Sequence, residues 1–197
     1  MINDLKKNFS VLILAAGNSG RMGSLKAFLP FDDTQCFLEK IIAKYQSFGV
    51  SSVFVILNEK GMVLFKGLKK LKNDVAILNP FPEKERFFSI KTGLENIPED
   101  QAVFLHNVDN PFIETTVLSA LLRGYKPGAT VIPVFEGRGG HPVLISPEIT
   151  AAIRKEISNK VILKDVLKRF PTVRVPVSDN TILININTEQ EYRKYFL

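Results

Sequence analysis

Near the start of the chain, three glycines and two cations follow directly on a run of apolar residues. Residues 11–16 are apolar, and the turn after them contains Gly17, Gly20, Arg21, Gly23 and Lys26. Glycines allow backbone angles and close approaches that a Cβ would forbid, and consecutive amide N–H groups in such a turn can bind an anion. Arg21 would add a planar fork of donors and Lys26 a mobile point charge. This pattern predicts a polyphosphate site at the end of a buried strand.

Two better-known phosphate loops do not fit this turn. It lacks the G-x-x-x-x-G-K-[ST] order of a Walker A loop, and it lacks the G-x-G-x-x-G of dinucleotide-binding oxidoreductases. A tight turn that carries two solvated cations is the alternative that the residues leave open.

A second candidate is Asp109, in the stretch H-N-V-D-N-P-F that follows a predicted strand at residues 102–107. Ligands of open α/β sheets bind at the carboxyl ends of the strands, where a carboxylate can hold a Mg²⁺ that bridges phosphate oxygens. The alternative is an aspartate that caps a helix after Pro111. His106 is predicted to be packed or hydrogen-bonded rather than a ligand.

Two further segments suit substrate binding. Ser89 lies near the start of a helix predicted at residues 86–95, where a hydroxyl and free amides could contact a base or a phosphate. The glycine-rich loop at residues 137–140 leads into His141 and Pro142, and such a loop could fold around an acceptor molecule. A plain helix-start serine and a simple hairpin connection are the respective alternatives.

The elements that must position these residues alternate along the chain, which predicts an α/β fold with a largely parallel sheet. We expect Thr34 and Thr188 to cap helices and Gly49 to end one, and Leu64, Leu68 and Leu71 to share one helix face. The predicted strands lie at residues 11–14, 52–57, 75–78, 102–107, 129–135, 143–145 and, on a sheet edge, 173–177. The predicted helices lie at residues 35–48, 61–71, 86–95, 115–123, 147–157, 161–170 and 189–196.

Length and composition favour one globular domain over residues 1–197. The single cysteine, Cys36, falls in an apolar helical pattern and is predicted to be a buried, inert thiol rather than a nucleophile. The net charge of +6 suits a small polyphosphate ligand.

The chain shows no nucleic-acid-binding module, no apolar run near the roughly 20 residues of a membrane span and no signal peptide. A cytoplasmic protein is therefore expected. The one basic cluster, predicted to be a solvated helix face, is Lys66, Lys69, Lys70 and Lys72.

Several of these segments, in this order, resemble the MobA-like nucleotidyltransferases, closest to the molybdenum cofactor cytidylyltransferase branch. The strongest match is L-A-A-G-N-S-G-R-M-G-S-L-K at residues 14–26, which is similar to the family's L-A-A-G-x-S-x-R-M-G-x-x-K. R-F-F-S-I-K-T-G-L resembles its S-[LI]-x-x-G-[LI] helix, N-V-D-N-P its x-x-D-x-P metal motif, and G-G-H-P-V-L its G-H-P-x-L acceptor-side motif. The tail I-N-I-N-T-E-Q-E-Y falls where the family has D-I-D-T-P-E-D-Y.

The resemblance implies a three-layer α/β/α sandwich with a mostly parallel seven-stranded sheet, of the Rossmann-like nucleotide-diphospho-sugar transferase type. It implies the Mg²⁺-dependent transfer of a nucleoside monophosphate to a phosphorylated acceptor such as molybdopterin cofactor, with release of pyrophosphate. The loop Ala15-Ala16-Gly17 resembles that of members that use CTP. The tail departs from the family, because Asn185 and Asn187 stand where carboxylates are usual. The stretch at residues 158–165 departs as well, since it lacks the acidic residues usual there.

The resemblance also assigns roles to the residues singled out above. Arg21, Lys26 and Asp109 are the expected catalytic residues, and Asp109, Asn187 and Asn185 the expected Mg²⁺ ligands. The acceptor is expected at Gly140, His141 and Pro142. The expected nucleotide-binding residues are Leu14, Ala15, Ala16, Gly17, Gly20, Gly23 and Ser89. Two other functions stay open: a nucleotide-binding protein with weakened catalysis, and a sugar-1-phosphate nucleotidyltransferase.

Overall fold

The structure is a computed structural model that describes residues 8–17, 22–50, 52–68, 75–81, 84, 86–157 and 161–197. Two of the predicted site residues, Gly20 and Arg21, lie outside the described residues. So do Lys69, Lys70 and Leu71, and with them most of the predicted basic cluster.

A single mixed sheet forms the middle layer. Its strands are β1 (Phe9–Ala15), β2 (Ser52–Leu57), β3 (Val75–Leu78), β4 (Ala102–Asn107), β5 (Thr130–Phe135), β6 (Arg138–Gly139), β7 (Val143–Ile145) and β8 (Thr172–Pro176). The order across the sheet is β3-β2-β1-β4-β7-β5-β6, and β8 pairs with β5. β1 lies between β2 and β4 and is parallel to both.

The parallel half of the sheet extends to β3, and β8 is parallel to β5. The short strand β7 runs antiparallel to β4 and to β5. We predicted seven strands, and the described residues form eight. The additional strand is the two-residue β6, which folds back on β5 after a turn in which Glu136 and Gly137 both have positive φ.

Helices cover both faces of the sheet. They are α1 (Phe37–Phe48), α2 (Glu59–Lys66), α3 (Arg86–Leu94), α4 (Thr115–Arg123), α5 (Pro147–Lys155), α6 (Leu163–Leu167) and α7 (Glu189–Phe196). Because helices cover both faces of the sheet, the predicted three-layer α/β/α architecture is confirmed. None of the helices in the described ranges is long and apolar enough to cross a membrane.

The side chains of β1 show how the two faces are built. Val11, Ile13 and Ala15 pack into one apolar cluster with α1 and α4. Leu12 packs into the other cluster, with α3 and α5. Successive side chains of a strand point to opposite faces, so an uninterrupted apolar run is what a strand covered on both sides requires.

Three local predictions about the first two helices were wrong. Thr34 does not cap α1; the helix begins after Cys36, whose backbone N–H donates to the Glu39 carboxylate at 3.0 Å. The second helix begins earlier than predicted, because the Asn58 side chain caps it by accepting from the Gly61 N–H at 2.8 Å. Leu64 is 48% exposed there, and Phe65 is the residue that packs inward.

The helix predicted at residues 161–170 is also shorter than expected and spans only Leu163–Leu167. Other end signals behaved as predicted: Gly49 ends α1 in a left-handed conformation at φ 99°, and Thr188 caps α7. Cys36 is half-buried, and burial raises the pKa of its thiol to about 11, so the thiol is protonated at neutral pH.

Candidate active site

The glycine-containing turn leaves β1 at the carboxyl edge of the sheet. Asn58, at the start of α2, donates from Nδ2 to the Ala16 carbonyl at 3.3 Å and so fixes the end of the strand. Gly23 has φ 67°, a conformation that favours glycine. Gly17 differs, since a Cβ added there would meet no atom of a described residue within 4 Å. Contacts with the described residues therefore do not require glycine at position 17.

A cleft of ≈ 360 Å³ opens at this edge, between the ends of β1 and β4 and the start of α3. The cleft brings together most of the described residues that are predicted from the sequence to bind the nucleotide, to bind the metal ion or to act in catalysis. The described residues that line it are Leu14, Ala15, Ala16, Gly17, Lys26, Ala27, Lys84, Arg86, Ser89, Asn107, Val108, Asp109 and Asn187. A volume of this size falls within the usual range for small-molecule sites.

Lys26 lies in a short 3₁₀ turn, Lys26–Phe28, and reaches across the cleft. Its Nζ donates to Asn187 Oδ1 at 2.7 Å. The tail that carries Asn187 is fixed on both sides: the Ile186 N–H donates to the Asp109 carbonyl at 2.7 Å, and the Asn187 N–H donates to the Glu191 carboxylate at 2.7 Å. The contact with Asp109 places the C-terminal segment beside the end of β4.

Asp109 follows β4 and does not cap the next helix, because α4 begins at Thr115 with Glu114 as its N-cap residue. Burial raises the pKa of Asp109 above its usual value, although the nearby cations Lys26 and Arg86 oppose the increase. Its Oδ1 is buried and has no hydrogen-bond partner in the described part of the chain. An unpartnered buried carboxylate oxygen is costly, and a bound cation would satisfy it.

The oxygen donors of the cleft fit a Mg²⁺ ion that is bound to a nucleotide. Mg²⁺ is often bound by one or two carboxylates together with substrate phosphates and several waters. Asp109 can supply the carboxylate, and Asn187 can supply an amide oxygen once Lys26 turns toward a phosphate. Asn185 is not among the described residues that line the cleft, and its Oδ1 is buried elsewhere. Within the described ranges no group of three or more His, Cys, Asp or Glu could hold a metal alone.

Two predicted polar residues have partners within the protein. His106 is fully buried; its Nε2 donates to the Asn110 carbonyl at 2.8 Å, so Nδ1 accepts from the Tyr45 hydroxyl at 3.0 Å. The predicted packing role of His106 is confirmed. Ser89 is buried beside the cleft and accepts from Asn79 Nδ2 at 2.8 Å, which leaves its own hydroxyl hydrogen for a ligand.

Three polar residues that line the cleft were not predicted from the sequence: Lys84, Arg86 and Asn107. Arg86 Nη2 donates to Asn107 Oδ1 at 2.7 Å, and the Lys84 ammonium lies over the Phe81 ring at 4.2 Å from its centroid. Arg86 is the first residue of α3, and Asn107 the last of β4. A cation at a predicted helix start and an amide two residues before Asp109 were the available signals.

The predicted acceptor-side residues lie in the connection between β6 and β7. The Gly140 N–H donates to the Pro133 carbonyl at 2.9 Å, and a Cβ at Gly140 would collide with Ile182, so close packing already explains that glycine. Pro142 is buried and follows a cis peptide bond. The His141 ring lies 3.2 Å from Asn107, measured between Nε2 and Nδ2. Only His141 among these three is thus placed beside the cleft residues.

The fold and sequence match proteins of known class. Residues 11–175 match the MobA-like NTP transferase domain. The chain is 24% identical to the molybdenum cofactor cytidylyltransferase of Escherichia coli (strain K12) over 182 residues. The aligned region covers 92% of each chain.

Solved structures show the same fold. The homolog of Mycobacterium tuberculosis rv0371c from Mycobacterium sp. strain JC1 matches with a TM-score of 0.79 at 20% identity, over 95% of this chain and 94% of that one. Rv0371C of Mycobacterium tuberculosis H37Rv, in complex with manganese, matches with a TM-score of 0.77 at 18% identity, over 96% of this chain and 98% of that one.

These matches and the cleft define the class of the protein, which is a nucleotidyltransferase. More narrowly, the chain belongs to the MobA-like NTP transferase family. The resemblance read from the sequence motifs is thereby confirmed.

Proposed function

We propose that the protein transfers CMP from CTP to a phosphorylated small-molecule acceptor, such as molybdopterin cofactor, in a Mg²⁺-dependent reaction that releases pyrophosphate. The observation that carries this proposal is the convergence of Lys26, Asp109 and the glycine-containing end of β1 on one cleft. A polyphosphate needs backbone amides and cations, and its metal ion needs a carboxylate.

The reaction needs no nucleophile from the protein. An oxygen of the acceptor phosphate attacks the α-phosphorus of the nucleotide and forms the new P–O bond. The bond between the α-phosphorus and the oxygen that bridges to the β-phosphorus breaks, and its electron pair leaves with pyrophosphate. The acceptor is already an anion at neutral pH, so the protein's task is to position the reactants and to neutralise charge.

The predicted catalytic and metal-binding residues have defined parts in this proposal. Lys26 gives up its hydrogen bond to Asn187 and binds the α-phosphate instead, where it stabilises the growing negative charge. The amides that follow Ala16 hold the β- and γ-phosphates together with Arg21, which lies outside the described residues. Asp109 would hold Mg²⁺, with Asn187 as a further oxygen donor; the ion would neutralise charge on the phosphate oxygens.

The choice of CTP has two supports. Ala15-Ala16-Gly17 resembles the loop of family members that use CTP, and the Escherichia coli relative is named a cytidylyltransferase. Both residues Ala15 and Ala16 line the cleft.

Pyrophosphate release with each of the four NTPs, Mg²⁺ and candidate acceptors tests the proposal. We expect CTP with an acceptor to be the most active combination. Lys26→Ala should reduce turnover by about 10²-fold or more, by analogy with the loss of other charge-stabilising donors. Lys126→Ala, at an exposed lysine outside the cleft, is the matched control and should retain full activity. Full turnover of Lys26→Ala would remove Lys26 from the mechanism.

One observation favours a second candidate, a nucleotide-binding protein with weakened catalysis. Asp109 is the only carboxylate among the described residues that line the cleft, and the neutral Asn187 is held by Lys26. Tight NTP binding without pyrophosphate release, for every acceptor supplied, would support this candidate. A sugar-1-phosphate nucleotidyltransferase would instead prefer UTP and turn over a sugar phosphate in the same assay.

A further inference from the structure

A second cavity, of ≈ 480 Å³, lies beside the nucleotide cleft and shares Arg86 with it. Its walls come from α3, α6 and one face of the sheet, and it reaches His141. The described residues that line it are Arg86, Phe87, Leu105, Ile132, His141, Val143, Ile162, Leu163, Lys164, Leu167, Lys168 and Thr172. No residue assigned to the nucleotide or to the metal contributes to it.

The chemistry of this lining is unlike that of the nucleotide cleft. Most of the side chains are apolar, Thr172 provides the one hydroxyl among the described lining residues, and none of those residues is a carboxylate. The charges are those of Arg86, Lys164 and Lys168, all positive; of these, Lys168 forms an exposed ion pair with Asp165 at 3.8 Å. Such a cavity suits a ligand with an apolar body and an anionic group.

Arg86 stands where the two cavities meet. Its one hydrogen bond to a described residue is the 2.7 Å contact with Asn107, and no described carboxylate forms an ion pair with it. The walls of the two cavities partly desolvate the guanidinium, and this lowers the pKa of Arg86, although Asp109 opposes the shift. A guanidinium has five N–H donors in a planar fork, so most of them remain available for a phosphate.

The hydrogen-bond network around Arg86 sets the tautomer of the His141 ring. Asn107 accepts from Arg86 through Oδ1, so its Nδ2 faces His141 Nε2. Burial and the charge of Arg86 lower the pKa of His141 to about 4, and the ring is therefore neutral at neutral pH. A neutral ring that accepts at Nε2 carries its proton on Nδ1. That nitrogen is buried and has no partner in the described part of the chain.

We infer that the second cavity holds the organic part of the acceptor and that Arg86 binds the acceptor phosphate at the junction, beside the α-phosphate of the nucleotide. This inference rests on the proposed function and adds the chemical class of the acceptor: a phosphate monoester whose body is a flat ring system that packs its face on the apolar wall. A polyol phosphate of similar charge would leave its hydroxyl groups unpaired against Leu105, Ile132 and Leu167, which is costly.

Two probes of similar charge and different body test the class. Isothermal titration calorimetry compares 1-naphthyl phosphate with glycerol 3-phosphate. We expect 1-naphthyl phosphate to bind at least about tenfold more tightly, because its ring system leaves water for the apolar wall. Equal affinities, or a preference for glycerol 3-phosphate, would overturn the inference.

Variants test the two parts of the site separately. Arg86→Gln should weaken 1-naphthyl phosphate by about tenfold or more, while the binding of 1-naphthol, which lacks the phosphate, stays unchanged. Lys164→Glu reverses an exposed charge on α6 at the cavity and should weaken 1-naphthyl phosphate several-fold. Lys155→Glu makes the same change on α5, outside the cavity lining, and should have no effect. Wild-type affinity of Arg86→Gln would overturn the assignment of Arg86.

Two measurements on the same protein preparation distinguish a failure of this inference from a failure of the proposed function. CTP binding and pyrophosphate release are measured beside the probe titrations. Nucleotide transfer without a preference for 1-naphthyl phosphate would overturn the inference alone. Absence of CTP binding and of pyrophosphate release would overturn the proposed function, and the inference with it.

Discussion

Asn187 presents its side-chain oxygen to the Lys26 ammonium at 2.7 Å, and the family motif that the tail resembles has a carboxylate at this position. A carboxylate there would attract both Lys26 and a metal ion, whereas an amide carries no charge. The amide of Asn187 therefore holds Lys26 less firmly than a carboxylate at this position would. The same substitution leaves Asp109 as the single carboxylate among the described cleft residues, so metal affinity in this site should be modest.

Asn187→Asp restores the charge at almost constant volume. We expect the Mg²⁺ concentration for half-maximal activity to fall several-fold, because a second carboxylate joins the ligand set. The maximal rate should rise less, or should fall, since the new charge also holds Lys26 more firmly. A Mg²⁺ titration of pyrophosphate release measures both quantities. An unchanged half-saturating concentration would show that residue 187 does not contact the ion.

We expect His106 to make the stability of the protein depend on pH. Burial lowers its pKa to about 4, although the hydrogen bond to the Asn110 carbonyl opposes the shift, while a histidine in the unfolded chain has a pKa of 6.5. Between these values the unfolded state binds the extra proton, so the free energy of unfolding falls as pH falls. The contribution of His106 is complete above pH 6.5 and is lost by pH 4. It amounts to about 3 kcal/mol at most.

Urea unfolding between pH 7.5 and pH 4.5 checks this dependence. We expect the wild type to lose stability steadily below pH 6.5. His106→Gln should be less stable at pH 7.5, where it lacks the contacts with Tyr45 and Asn110, but its stability should change less with pH. His141, whose pKa is also lowered to about 4, contributes its own share to both proteins. Parallel curves for the two proteins would contradict the assignment to His106.

At the scale of the elements, residue patterns predicted what depends on local chemistry. The apolar run of β1 and the left-handed Gly49 follow from rules that act within a few residues. The start of α1 could not be predicted in this way. Thr34 is a good cap by type, but its backbone N–H and hydroxyl both bond to Asp32. The helix instead starts where Phe37 enters the core, and tertiary packing decided that choice.

The contact between α3 and β1 is the element-scale feature that most directly supports the cleft, since α3 begins with Arg86 and carries Ser89. Gly93 allows this helix to approach Leu12, a fully buried residue of β1. A Cβ at Gly93 would lie 2.5 Å from Leu12 Cδ1, far inside contact distance. Overpacking of this kind typically costs about 1–3 kcal/mol.

Gly93→Ala should therefore lower the free energy of unfolding by about 1–3 kcal/mol, despite the better helix propensity of alanine. It should also weaken nucleotide binding, because α3 would move away from β1. Gly67→Ala is the matched control: Gly67 is exposed at the end of α2, has a right-handed helical conformation, and has one atom of the described residues within 4 Å of an added Cβ. Equal stability of the two variants in urea unfolding would show that Leu12 and α3 accommodate the methyl group.

At the scale of the whole molecule, the site depends on segments that are far apart in sequence. Lys26 and Asn187 are 161 positions apart and still form a hydrogen bond. Motif resemblance predicted that such residues meet, since the carboxyl ends of β1 and β4 share one edge of the sheet. It could not predict that the Asn187 oxygen is occupied by Lys26, nor that Arg86 lies between two cavities. Those facts depend on side-chain contacts between helices and strands that no local pattern encodes.

Because the cleft joins β1, β4, α3 and the C-terminal segment, a ligand bound there should stabilise the entire fold. A ligand at 100 times its dissociation constant adds about 2.7 kcal/mol to the free energy of unfolding. For a chain of this length that corresponds to an increase in Tm of about 5–10 °C. We expect CTP with Mg²⁺ to give the largest increase among the four NTPs, and CTP with EDTA a smaller one.

Asp109→Asn should lose the Mg²⁺-dependent part of the increase and keep the part due to Lys26 and the loop amides, since the Asp109 carboxylate is the proposed metal ligand. An increase in Tm that is the same with EDTA and with Mg²⁺ would show that the nucleotide binds without the ion, and Asp109 would then need another role.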